Sequence, residues 1–170
     1  MIPQVTVTDR LKNYYELTKP KIWYLLVFTA FGSAITASYS TDNFLSPLQW
    51  IFLLVGIVTG SAAADALTGY IDRDIDAIMD RTKARPIPSG RISPRNALIF
   101  GLLLAAISLF CAWSINYLTF GLMAFGLFDN IIVYSKWLKR KSQTNIILGG
   151  FSGAVPALIG YVAVTTENIE

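Results

Sequence analysis

Five apolar runs, at residues 22–38, 48–70, 96–113, 118–134 and 146–164, constrain this chain more than any other feature. Each approaches the ~20 residues that a helix needs to cross the hydrocarbon core of a bilayer. In lipid, backbone N–H and C=O groups must be satisfied without water, so runs of this length fold as helices. Apolar residues fill 54% of the 170 positions and charged ones only 15%, too few charges to coat a soluble domain of this size. The expected fold class is all-α, a polytopic membrane helical bundle. It forms one membrane domain over residues 1–170, with 1–21 as a polar lead-in that lacks the cleavage pattern of a signal peptide.

The charges fall on one side of this arrangement. All 14 Lys and Arg residues lie in the N-terminal segment (Arg10, Lys12, Lys19, Lys21), in the connection after the second run, or in that after the fourth. The other side carries only Asp42, Glu167 and Glu170. The positive-inside rule therefore expects a multi-pass cell-membrane protein whose N-terminus and both basic loops are cytoplasmic. Trp23, Trp50, Trp113 and Trp137 fall at the ends of the expected helices, where aromatic belts sit. The single cysteine, Cys111, lies inside an apolar run and no histidine is present. A disulfide framework, a thiolate metal site and the usual general base are thereby excluded. The basic residues flank membrane spans, and no nucleic-acid partner is expected.

The second run leaves the membrane through a stretch rich in acids. On a helix continuing to about residue 80, where Pro86 and Pro88 forbid more, Asp65, Asp72, Asp76 and Asp80 share an arc of about 80°. Asp74 points away, and Thr68 lies on the shoulder of the group. A carboxylate near a helix centre in lipid costs roughly 2.5–3.5 kcal/mol, so the stripe calls for a cavity, a cation or a partner. Mg²⁺ suits one or two carboxylates together with phosphate oxygens. Acids holding Mg²⁺, ringed by Arg and Lys above an apolar bundle, match a diphosphate head with an isoprenoid tail. A solvated face of weak ion pairs is the competing reading. Asp65, placed within the apolar run, favours a site. Asp129 and Asn130 form a second polar interruption, in the fourth run. Gly149, Gly150, Gly153, Pro156 and Gly160 in the fifth read as close-packing positions.

Residues 70–93, reading YIDRDIDAIMDRTKARPIPSGRIS, resemble the first aspartate motif of the UbiA-type intramembrane prenyltransferases. More narrowly they resemble the protoheme IX farnesyltransferases, or haem O synthases. Residues 18–21 resemble that family's opening, and residues 134–160 its fourth loop and following helix. The resemblance implies transfer of a farnesyl group from farnesyl diphosphate to a vinyl group of haem B, with water, giving haem O and diphosphate. Haem is then a substrate rather than a cofactor, and Mg²⁺ the expected cofactor. Asp72 and Asp76 match the two motif acids and would hold the metal, in the catalytic role. Thr68 stands where the family has Asn, with Asp65 one turn earlier as a further ligand candidate. Arg81, Arg85, Lys139, Arg140 and Lys19 would meet the diphosphate. The family has roughly nine helices and a second aspartate motif, so the likeness is to an N-terminal half. A missing C-terminal half or second chain is an expected partner beside the lipid bilayer. Two other readings stay open: a quinone-precursor or lipid-alcohol acceptor, and an inactive half-protein that packs against a membrane partner.

Overall fold

The computed structural model describes residues 6–138 and 145–166. They form α1 (Val7–Leu17), α2 (Pro20–Thr41), α3 (Pro47–Ile71), a short α4 (Arg73–Ile78), α5 (Pro94–Trp113) and α6 (Tyr117–Phe128). A π-helix, Asp129–Leu138, continues α6, and α7 spans Asn145–Thr165. No strand occurs among the described residues. Four helical stretches are long and apolar enough to cross a membrane: α2, α3, α5, and α6 with its continuation through Trp137. The described apolar part of α7, Gly153–Thr165, is shorter.

The helices outrun the apolar blocks because local signals set their ends. Ser46 and Ser93 cap α3 and α5 through their hydroxyls, each followed by a Pro that suits the first helical position. Thr6 and Asp9 form a reciprocal capping box on α1. Between α1 and α2 the chain turns at Lys19, which adopts the left-handed conformation at φ 44° and ψ 66°. That conformation is costly for a residue with a Cβ.

α3 is the central helix. Half of its apolar window is buried, against 22–28% for the other three spans, and it packs along α5 and beside α2. α2 packs along α7. There the α2 face is made of Ala30, Ala34 and Ala37, all fully buried, and Gly160 of α7 meets the Ala30 backbone. Small residues permit such approach, which van der Waals contact rewards in lipid, where association has no hydrophobic drive. Phe28, Leu103 and Phe110 are exposed on the outer faces, as lipid-facing side chains must be.

A second apolar cluster builds the rim. Leu17 of α1, Ala66 of α3, Ile87 and Ile92 of the 79–93 connection, and Ala97 of α5 pack together with Tyr14, Tyr70 and Phe100. It holds the amphipathic lead-in and the connection over the end of α3.

Candidate functional site

The end of α3 differs from a continuous helix. Asp72 sits at φ −86° and ψ 0°, closing α3 and opening α4, which itself stops at the extended Met79. The break is mild on the acidic face. Asp72 N still donates to Thr68 O, and Asp76 N to Asp72 O, both at 2.9 Å. Asp65, Asp72 and Asp76 therefore stay stacked and are 9%, 3% and 4% exposed. Asp74 is exposed on the other side. Asp80 departs from the expected stripe. Beyond Met79 the chain is no longer helical, so Asp80 points to solvent and pairs with Lys83 at 2.7 Å.

Two cations meet this face. Lys19 Nζ lies 2.8 Å from Asp65 Oδ1, and an Arg85 guanidinium nitrogen lies 2.7 Å from Asp76 Oδ2. The left-handed turn at Lys19 and the folded 79–93 connection bring them there. Within that connection the buried Thr82 donates its hydroxyl to Asp76 O at 3.0 Å, tying it to α4. Thr68 is buried and donates its hydroxyl to Asp65 O at 3.2 Å. Arg81 is exposed on the turn after α4, away from the acids' cleft. Lys139 and Arg140 lie outside the described residues.

Two cavities adjoin at Asp65. The outer, about 240 Å³, is a cleft that sets the charged side chains of Glu16, Lys19, Asp65, Asp76 and Arg85 over a largely apolar base that includes Leu17 and Ile87. The inner, about 110 Å³, lies between α2, α3, α6 and α7, and its lining includes Ile57, Gly60, Met123 and Ile159. Asn130, at the start of the π-helix, also lines it, and Asp129 beside it is buried. π-helical turns are rare and concentrate at functional sites. Asp72, the most buried of the three acids, lines neither cavity.

The donor set fits a hard cation shared with a ligand. Asp65 Oδ2 is buried with no hydrogen-bond partner, a carboxylate oxygen left available to a cation. Among the described residues no three acidic, Cys or His side chains converge as a closed metal cage. Mg²⁺ is commonly held by one or two carboxylates and completed by phosphate and water oxygens, which asks for no such cage.

The rim contains two residues that the sequence reading did not assign to the site, Glu16 and Arg91. Arg91 binds both Glu16 oxygens, at 2.6 and 2.9 Å. The hydrogen bonds from Arg91, with its charge behind them, hold the Glu16 carboxyl below the usual glutamate range. The two positions are 75 residues apart, and no local pattern links them.

Against known proteins, residues 25–169 match the UbiA prenyltransferase family model. The chain is 51% identical over 169 residues to protoheme IX farnesyltransferase 2 of Cenarchaeum symbiosum, covering 95% of this chain and 54% of that protein. It is 47% identical over 162 residues to protoheme IX farnesyltransferase of Thermoplasma volcanium, covering 94% and 55%. With the relative from Agrobacterium fabrum the identity is 43%, covering 91% and 48%. The chain thus spans about half the length of the curated relatives it matches.

Among solved structures it resembles a digeranylgeranylglyceryl phosphate synthase, with a TM-score of 0.78 at 22% identity over 92% of this chain and 54% of that one. It also resembles a UbiA homologue from Archaeoglobus fulgidus bound to GPP and Mg²⁺, at 0.73 and 22% over 89% and 54%. These likenesses establish the helical fold. A multi-pass helical chain whose sequence matches the family model over nearly its whole length belongs to the UbiA prenyltransferase family.

Proposed function

We propose that this chain carries the prenyl-diphosphate site of a protoheme IX farnesyltransferase, which transfers a farnesyl group to a vinyl group of haem B to give haem O. The observation that carries the reading is Asp65, shared by a cleft where Lys19 and Arg85 meet the acids and a mainly apolar cavity in the bundle. A diphosphate head with a hydrocarbon tail needs both surroundings at once. The names of the curated relatives supply the acceptor.

In this reading Asp72 and Asp76 hold Mg²⁺, with Asp65 and the Thr68 hydroxyl oxygen as further ligand candidates. The bound cation supplies Lewis-acid stabilisation of the departing diphosphate. Arg85 and Lys19, paired with Asp76 and Asp65 at rest, neutralise phosphate charge. Lys139 and Arg140 of the second basic loop are further phosphate candidates, whereas Arg81, outside the cleft lining, is left without a contact in this reading. The farnesyl C1–O bond breaks, diphosphate leaves with the bonding electrons, and the vinyl carbon forms the new C–C bond. Water adds to the resulting cation and loses its proton, so haem O carries a hydroxyl. The apolar inner cavity shelters the allylic cation from premature water. In this reading the site opens to the cytoplasm, which the distribution of Lys and Arg supports.

The test is Mg²⁺-dependent haem O formation in membranes containing the chain together with a relative's unmatched half. Asp72→Asn and Asp76→Asn should each abolish it. Wild-type turnover in both variants would remove the assigned roles, and labelled prenyl transfer to a quinone precursor or lipid alcohol instead of haem would change the acceptor.

A further inference from the structure

Arg91 is the most fully bonded side chain on the rim. Its Nε donates to Ser89 Oγ at 3.1 Å, and one terminal nitrogen donates to Asn13 Oδ1 at 2.8 Å and Glu16 Oε2 at 2.6 Å. The other donates to Glu16 Oε1 at 2.9 Å and Ala84 O at 2.6 Å. A guanidinium has five N–H donors in a fixed fork, and here all are engaged. The contacts join the end of α1 to the connection that carries Arg85. Glu16 stands three residues before Lys19, and Arg91 six after Arg85, so the link spans the supports of both cleft cations.

Glu16 is also an anomaly. It lines the outer cleft, where a carboxylate would repel a phosphate. The ion pair is half-exposed, with Arg91 at 37% and Glu16 at 44% side-chain exposure. Pairs of that exposure add little to stability. Its geometry and charge matter more than its strength.

We propose that Arg91 is a positioning residue for the prenyl diphosphate. It cancels the Glu16 carboxylate on the cleft wall and seats α1 against the 79–93 connection, so that Lys19 and Arg85 face the ligand. This rests on the prenyl-diphosphate reading of the cleft. Arg91 acts on affinity through its neighbours and touches no reacting atom.

The experiment is calorimetric binding of geranyl diphosphate with Mg²⁺ to the chain in lipid nanodiscs. Arg91→Ala should weaken binding about tenfold, the effect of one uncompensated charge near an anion at a solvated rim. Glu16→Gln alone should bind at least as well as wild type. The double variant Arg91→Ala/Glu16→Gln should recover much of the loss, which a purely structural role for Arg91 would not allow. Arg91→Lys should recover only part, because an ammonium cannot reproduce the fork. Wild-type affinity in Arg91→Ala, or equal weakness in the single and double variants, would overturn the inference while leaving the diphosphate reading intact. A wild-type chain that binds no geranyl diphosphate would overturn both.

Discussion

Gly160 tests the packing on which the inner cavity depends. A Cβ built on it overlaps the Ala30 carbonyl oxygen and lies 2.8 Å from the Ala30 carbon and 3.1 Å from its Cα. Carbon–carbon contacts settle at about 3.5–4.0 Å, so relieving the overlap needs a separation on the order of 1 Å between α2 and α7. The obstruction is backbone, which has no rotamer to change. Overpacking costs about 1–3 kcal/mol, and a backbone clash falls at the upper end. Replacing Gly by Ala in a helix returns up to about 1 kcal/mol of propensity. Gly160→Ala should therefore lose about 2 kcal/mol net.

Gly153, on the same helix, has nothing within 4 Å of its would-be Cβ, so Gly153→Ala should be neutral or stabilising. Thermal unfolding of both variants in the same detergent gives the comparison, read as an ordering because such unfolding is often irreversible. The shift should also reach the ligand. Ile159 and Val155 of α7, and Ile22 and Leu26 of α2, line the inner cavity, so Gly160→Ala should weaken geranyl diphosphate binding as well. A Gly160→Ala protein as stable as wild type, or a Gly153→Ala protein less stable than Gly160→Ala, would refute the reasoning.

Three further outcomes follow from the rim. Lys19→Met should destabilise by up to about 3 kcal/mol, since it strands Asp65, though the part-exposed lysine softens the loss; Lys19→Met/Asp65→Leu should recover most of it in the same unfolding assay. Because Arg91 depresses the Glu16 carboxyl in the fold, their link is complete above the ordinary glutamate value of about 4.3 and lost as pH falls through the lower folded value. Hydrogen exchange in α1 should accordingly rise in that acid window in wild type but not show this pH step in Glu16→Gln. Thr68→Asn, which exchanges a hydroxyl already donating to Asp65 O for an amide carbonyl, should lower the Mg²⁺ concentration that half-saturates geranyl diphosphate binding; no change would place residue 68 outside the metal's shell.

The spans were legible because lipid demands long uninterrupted apolar runs, which composition displays directly. Their ends were less so, since Ser46–Pro47 and Ser93–Pro94 extend helices into sequence that hydropathy reads as polar. The acidic face was legible as far as Asp76, because the i to i−4 bonds survive the break at Asp72. It failed at Asp80, where helical periodicity was carried past a chain that had already turned extended at Met79. Arg81 and Arg85 were indistinguishable by composition. Burial of Thr82, Ile87 and Ile92 decides the matter by folding the connection with Arg85 toward Asp76. The latch between Arg91 and Glu16 had no local signal at all, being fixed by how α1 lies across the rim.

These pairings explain how the proposed anion site can exist at a membrane edge without its ligand. Asp65 with Lys19, Asp76 with Arg85, and Glu16 with Arg91 set three acids against three bases, so the cleft carries little net charge at rest. Charges left unpaired at that depth would favour water entry or collapse of the helix ends. A diphosphate arriving with a divalent cation can exchange partners rather than separate ions. In the proposed site the phosphate oxygens would take Lys19 and Arg85, and the cation would take Asp76 with Asp72 and the released Asp65. The third pair has no such exchange to make, because Arg91 has no donor left to offer, and so it serves as the fixed wall against which the other two rearrange.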